Sequence, residues 1–511
     1  MGRRVGQGMG WLLGATVLVK AASLANIAIL GLLLAKEDFG IFGTAIGVAA
    51  LVNVLRDGGV RRILIHKGLH RYEGLVGPVY AWTLMLNVLA AAILTALGPA
   101  LAAYHGDRQY VWVMATLGFA ALIYGPSMIY RARLAMGFQY RLVAAMNATS
   151  ALVRYAAMIA LALAGAGPLT FTISLIVMAA YEWLFGLLAT KDPLIRFRLR
   201  LRLWPAIWAR SRWLLASALA LALLRQGDYL ALGMILDQEV MGVYVFAYMI
   251  GDQIMALLAS NLQQVLMPTM AAFQHERQRH VRAVLRVAGS IVLAASAVAG
   301  GIAVVFDPLQ NLVWAGKWTQ ATPAVQALAL CFALRLLVAV QESALTSAGR
   351  FRTQFHALLI QGLGMTAVAL VGGLLFPTNP GRIAMGVALW FAVGVTAVAA
   401  WSLRPLGVRP GAFLATVFRP WATLTALAVL VILANPWLDA LAGSIAPRHA
   451  AVQHALSIVL AGSAYALLAV LAIRLTLAGT LADMLAVLPT RLADRLGALL
   501  RLPRAARLPA G

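Results

Sequence analysis

Apolar residues run along this chain in windows of about 20, the length an α-helix needs to cross about 30 Å of hydrocarbon. Fourteen such windows alternate with short polar or basic segments: residues 10–35, 39–57, 77–103, 109–130, 142–165, 168–190, 213–236, 240–270, 284–306, 320–348, 354–376, 383–403, 420–435 and 451–474. The pattern predicts an all-α polytopic membrane protein with about 14 transmembrane helices. Arg3 and Arg4 ahead of the first window imitate a signal peptide. Lys20 interrupts the apolar run and no small-residue cleavage site follows, so the window is read as an uncleaved first helix.

A repeat lies on top of this pattern. Residues 30–45 read LGLLLAKEDFGIFGTA and residues 232–247 read LGMILDQEVMGVYVFA. At a constant offset of 202 positions, Leu30, Gly31, Leu34, Glu37, Gly40 and Ala45 recur as Leu232, Gly233, Leu236, Glu239, Gly242 and Ala247. Each copy is the end of one apolar helix, an acidic turn and the start of the next. Six helices separate the copies, so both enter the membrane in the same direction and the implied axis lies along the membrane normal. The expected organisation is a first six-helix lobe, 1–190, a basic linker, 191–212, and a second six-helix lobe, 213–404. Two further helices lie within 405–475 and an amphipathic basic tail occupies 476–511. Lobes related in this way leave a cleft between them, the parallel-repeat plan of transporters.

Composition sets the solvent. Of 511 residues, 62% are hydrophobic and 11% charged, which is too apolar for water-soluble domains of ordinary size. The net charge of +24 does not imply nucleic acid, because nucleic-acid-binding proteins gather their basic residues on a water-exposed face and here they fall between apolar windows. With the N-terminus inside, Lys36, Arg108, Lys317, Arg382 and Arg448 are the basic residues of the outer loops, as the positive-inside rule requires. Both termini are then cytoplasmic. The linker, with RFRLRLR at its centre, suits a surface of anionic membrane lipids. Cys331 is the single cysteine, so no intrachain disulfide exists, and within an apolar window it reads as a small core residue.

The outer loops are short, the longest being near Asp307–Thr319 and Asn435–Ala450, and no phosphate loop, HExxH, paired-cysteine spacing or nucleophile elbow occurs. Nothing points to an enzyme, a cofactor or a metal. His66, His70, His275 and His280 read as surface residues beside cytoplasmic segments.

What remains is a set of charges at membrane depth, each costing about 3 kcal/mol on insertion scales and therefore expected to face protein or a watery cavity. Lys20 lies in the first helix with Ser23 on its face. Arg154 shares a stripe of the fifth with Asn147 and Ser150, Arg225 and Asp228 are three apart in the seventh, Asp252 is central in the eighth, and Arg335 and Glu342 are seven apart in the tenth. These charges either pair, Arg225 with Asp228 and Arg335 with Glu342, or serve a ligand. Glu182, Arg56 and Asp57 lie near helix ends, where snorkelling suffices.

The duplicated run, an LG step, an acidic turn and then Gly-Ile-Phe in one copy and Gly-Val-Tyr in the other, is followed in the second copy by Asn261, Leu262, Gln263, Gln264, Val265, Leu266, Met267 and Pro268. It resembles the Wzx-type polysaccharide and O-antigen flippases of the multidrug/oligosaccharidyl-lipid/polysaccharide exporter superfamily. The resemblance implies a bacterial inner-membrane flippase that turns an undecaprenyl-diphosphate-linked oligosaccharide to the periplasmic leaflet by alternating access, alongside polysaccharide polymerase and export machinery. Lipid II flippases similarly carry cations facing a central cavity, which points here to Lys20 and Arg225. Arg154 and Arg335 rest on burial alone. A diphosphate head needs several fixed cations in a low-dielectric cavity, and Lys20, Arg154, Arg225 and Arg335 could supply them. Asp228, Asp252 or Glu342 could bind a coupling proton or sodium ion. A multidrug or cation antiporter of the same superfamily would instead want a cavity of acids and aromatics. A membrane polymerase or ligase would want a large outer loop.

Overall fold

The computed structural model describes residues 2–57, 72–137, 139–190, 204–253, 276–447 and 449–487. Most of the basic linker, the stretch from Asn261 to Pro268 and the end of the tail lie outside these residues. The chain is helical throughout the described parts: α1 Gly2–Leu33, α2 Lys36–Asp57, α3 Tyr72–His105, α4 Gln109–Met136, α5 Tyr140–Leu163, α6 Leu169–Thr190 and α7 Trp204–Gly233, then α8 over 238–253. There follow α9 Arg277–Trp314, α10 Thr322–Arg335, α11 Leu337–Ser347, α12 Phe351–Leu375, α13 Pro380–Leu389, α14 Thr396–Ser402, α15 Pro410–Ile445, α16 Ala450–Thr476 and α17 Ala478–Val487. Among the described residues, 11 helical stretches are long and apolar enough to cross a membrane, and Leu18–Leu33 is a shorter apolar helix. The molecule is an all-α multi-pass membrane protein.

Three stretches depart from the sequence expectation. The ninth helix runs past Asp307 and Pro308 to Trp314, because the Asp307 carboxylate accepts from Thr322 at 3.4 Å and Asn311 bonds back to the Asp307 carbonyl. The chain turns only at Ala315 and Gly316, where φ is 49° and 82°. The outer loop expected at Asp307–Thr319 is thus mostly helix. Likewise α15 continues through Asn435 and Pro436 to Ile445. Asn435 is buried and donates to the Val304 carbonyl at 3.1 Å, so it is a packing residue rather than the start of a loop. The twelfth span changes pitch midway, with α13 and α14 joined by a π-helical turn, Trp390–Val395. The Gln361 side chain donates to the Val395 carbonyl exposed by that turn.

The chain forms two compact units, Met1–Val245 and Phe246–Gly511. In the first, α1 packs on α5, α3 on α4, α4 and α5 on α6, and α2 on α7. In the second, α9 is the central element, packed by α10, α15, α16 and α17. The division falls within α8. Small residues set the packing on its first side. Without a hydrophobic force between helices in lipid, close packing of glycine and alanine faces decides which helices associate. A β-carbon at Gly40 would overlap the Gln238 carbonyl, and one at Gly242 would overlap the Lys36 carbonyl. These glycines bring α2 into backbone contact with the start of α8, so α7 and the start of α8 belong with α1–α6.

Candidate functional site

In the first unit, the Asn26 amide donates to the Met158 sulfur at 3.6 Å and registers α1 against α5. As first and fifth spans, these helices run in the same direction. Lys20 precedes Asn26 by six residues and Arg154 precedes Met158 by four, so the two cations lie about 9 and 6 Å along their helices from a shared level. Packing of α1 on α5 therefore brings Lys20 and Arg154 to nearly one depth. Ser23 and Asn26 are buried beside them. Both cations are half-buried, and the Arg154 Nε is buried without a hydrogen bond. No ion pair joins Arg154 to any described residue. A guanidinium with no carboxylate paired to it among the described residues is available to an anion.

On α7, Arg225 is exposed and Asp228 is fully buried. The Tyr244 hydroxyl donates to the Asp228 carboxylate at 2.7 Å, and Tyr229 packs edge-on against the Tyr244 ring. Asp228 thus joins α7 to α8.

The second unit uses its charges differently. Arg335 donates to Asp252 at 2.9 Å, and its guanidinium lies 5.3, 5.1 and 5.3 Å from the ring centres of Tyr248, Phe332 and Phe391. The expected same-helix pair of Arg335 with Glu342 assumed one unbroken helix. The span divides at Leu336, and the carboxylate that Arg335 meets comes from α8. An arginine held by a carboxylate and three aromatic faces ties α8, α10 and the turn after α13 together. Glu342 is half-buried on α11.

Two charge pairs went unread in the sequence. Glu182 does not snorkel: it is fully buried and forms an ion pair with Arg131 of α4, which also donates to Asn147 of α5 at 2.7 Å. The only signal was a carboxylate eight residues inside an apolar window. Lys36 meets Glu239 at 2.8 Å, joining the two acidic turns of the repeat. That each turn carries a Glu at equivalent positions was visible. That a lysine of one turn reaches the other was not. Among the described residues no cluster of three His, Cys, Asp or Glu could hold a metal.

Two units of long apolar helices define the class of multi-pass membrane protein. Solved structures of that class share the fold: "Lipid II flippase MurJ, inward closed conformation" has a TM-score of 0.70 at 10% identity, covering 91% of this chain and 99% of that one. An inward-facing multidrug resistance MATE family transporter of the MOP superfamily has a TM-score of 0.52 at 15% identity, covering 78% and 94%. The teichuronic acid biosynthesis protein TuaB of Bacillus subtilis (strain 168) is 20% identical over 378 residues, 73% of this chain and 78% of its own. Residues 29–323 match the family described as "Polysaccharide biosynthesis protein", and the chain belongs to that family.

Proposed function

We propose that this chain is a bacterial inner-membrane flippase that moves a polyprenyl-diphosphate-linked oligosaccharide from the cytoplasmic to the outer leaflet by alternating access, with both termini in the cytoplasm. One observation carries the reading: the intramembrane acids Glu182, Asp228 and Asp252 are engaged by Arg131, Tyr244 and Arg335, while no ion pair joins Arg154 to any described residue and its Nε is buried without a hydrogen bond. A bundle whose acids are engaged and whose arginine is not favours an anionic ligand over a cationic drug. Lys20 and Arg154 are proposed to grip the diphosphate, with Arg225 as a further contact. Arg335 is assigned to structure rather than substrate. Asp252 is about half exposed and is the proposed coupling group, since its protonation would free Arg335. Membership of a polysaccharide biosynthesis family and the likeness to a lipid II flippase support the substrate class.

The test is deletion of the gene. A lipid-diphosphate oligosaccharide should accumulate on the cytoplasmic leaflet, and wild-type protein, but not the Lys20→Gln/Arg154→Gln variant, should clear it. Unchanged lipid-linked pools and unchanged polymer after deletion would remove the reading.

A further inference from the structure

We propose that the end of α9 carries a binding site for a monovalent metal cation, sodium, formed by the Asp307 carboxylate, the Gln310 amide oxygen and the Thr322 hydroxyl. The site belongs to the second unit, is separate from Asp252 and stands independently of the substrate reading. It starts from an acid that the described residues do not neutralise. Glu182 and Asp252 have arginine partners, and Asp228 has the Tyr244 hydroxyl at 2.7 Å. Asp307 is half-buried and accepts from the Thr322 hydroxyl at 3.4 Å, with the Gln310 amide also in reach. The charged groups that act on it are a second carboxylate, Asp439 of α15, and His454 of α16, both half-buried. Among the described residues no ion pair joins Asp307 or Asp439 to a cation. Lys317, in the turn that follows α9, lies over the Trp318 ring, 5.7 Å from its centroid.

A second observation points into the same place. Gln310 is fully buried, and its carbonyl oxygen, Oε1, has no hydrogen-bond donor. Turning the amide over would not relieve this. Asn311 donates through Nδ2 to the Asp307 backbone carbonyl at 3.2 Å, so its Oδ1 is left facing Gln310 and takes the Gln310 Nε2 as donor at 2.8 Å. Thr319 accepts from the same nitrogen at 3.1 Å while its own hydroxyl donates to the Gly316 carbonyl at 2.7 Å. These donors are engaged, and what is left over is an amide oxygen beside a carboxylate. A buried acceptor without a partner is destabilising, and hard cations take this set of ligands: carboxylate, amide carbonyl and hydroxyl oxygens. One carboxylate with two neutral oxygens matches a single positive charge. Among the described residues no third acid or histidine gathers to suit a divalent ion. Asp439 lies one turn beyond Asn435, which holds α15 to α9 through the Val304 carbonyl, and adds negative potential at the site.

The experiment is hydrogen exchange of the full-length protein in nanodiscs, in sodium chloride and in choline chloride at equal ionic strength and pH, read at peptides spanning 307–322. Local opening of this segment releases the cation, so exchange should slow saturably, by about elevenfold at ten times the sodium dissociation constant. Asp307→Asn should abolish the difference between the two salts. Asp439→Asn, which removes a neighbouring charge but no ligand, should raise the sodium concentration required by about fivefold. Equal exchange in sodium and choline would overturn the site and leave a buried water as the partner of Gln310. Protection that follows pH alone would overturn it in favour of a proton, and sodium protection that survives Asp307→Asn at full strength would place the cation elsewhere. If Asp307→Asn does not fold, the wild-type salt comparison and the Asp439→Asn titration decide, an unmoved titration counting against the site. No substrate enters the measurement, so its outcome is distinct from that of the gene deletion.

Discussion

Arg154 and Arg335 look alike as sequence, each a single arginine midway along an apolar window, yet the molecule treats them in opposite ways. Arg335 is neutralised by Asp252 and enclosed by Tyr248, Phe332 and Phe391. Arg154 stands on α5 with its Nε buried and unbonded, near the level of Lys20 on α1. A cation inside a membrane protein is costly in either setting. In the first case the cost is met internally and the result is a brace. In the second the described residues supply no counter-charge, which is the ground for proposing that Arg154 binds an anion. Burial of an ionisable residue therefore does not by itself mark function. Whether its counter-charge belongs to the protein does.

The comparison can be pressed hardest at a third pair. Glu182 and Arg131 form a brace like Arg335–Asp252 but with the carboxylate completely buried. Glu182→Ala, which strands Arg131, should cost about 3–5 kcal/mol, seen as a large drop in folded protein and in thermal midpoint. If Glu182→Ala matched wild type in both, buried pairs here would not be braces. Next in size, Arg154→Gln should lower transport per folded molecule about a hundredfold, equivalent to about 2.7 kcal/mol of lost interaction, at near-normal expression. Retention of full polymer output would take Arg154 out of the site. Arg335→Gln should do the reverse, lowering stability by about 2 kcal/mol, less than Glu182→Ala because Asp252 is 48% exposed and water screens it. Transport per folded molecule, measured without an imposed ion gradient, should change little. The smallest effect belongs to Arg335→Leu/Asp252→Leu, which removes both charges at once and should fall within about 1 kcal/mol of wild type. A deficit as large as that of Arg335→Gln would mean that the arginine matters beyond its pair. The same double variant should transport without responding to the proton or sodium gradient if Asp252 is the coupling group, and an unchanged response would exclude it.

Much of this fold was legible in the hydrophobic windows; Gly40 and Gly242 stood out as recurring residues, but their contact between α2 and α8 was not legible. Helix ends were misjudged wherever polar residues marked them. Asp307, Pro308, Asn435 and Pro436 read as loop, but Thr322 and the Val304 carbonyl satisfy Asp307 and Asn435 from other helices, and the helices continue. The charge partners were the least legible part. Sequence spacing shows only neighbours on one helix, so Arg335 was matched with Glu342, whereas its observed partner lies 83 positions away. Glu182 meets Arg131 across 51 positions, and Lys36 meets Glu239 across 203. Which cation keeps no internal partner is settled by helix packing, and no local pattern encodes it. The candidates Lys20, Arg154, Arg225 and Arg335 were visible as costly residues. That Arg154 and Arg335 are held so differently was not.

The central claim is that Arg154 holds its charge for a diphosphate while Arg335 spends its own on the protein. The direct measurement is the thermal shift that undecaprenyl diphosphate produces in purified wild type, Arg154→Gln and Arg335→Leu/Asp252→Leu. The account predicts a clear rise for wild type and the double variant and none for Arg154→Gln. An equal rise for Arg154→Gln, or loss of the rise in the double variant alone, would contradict it.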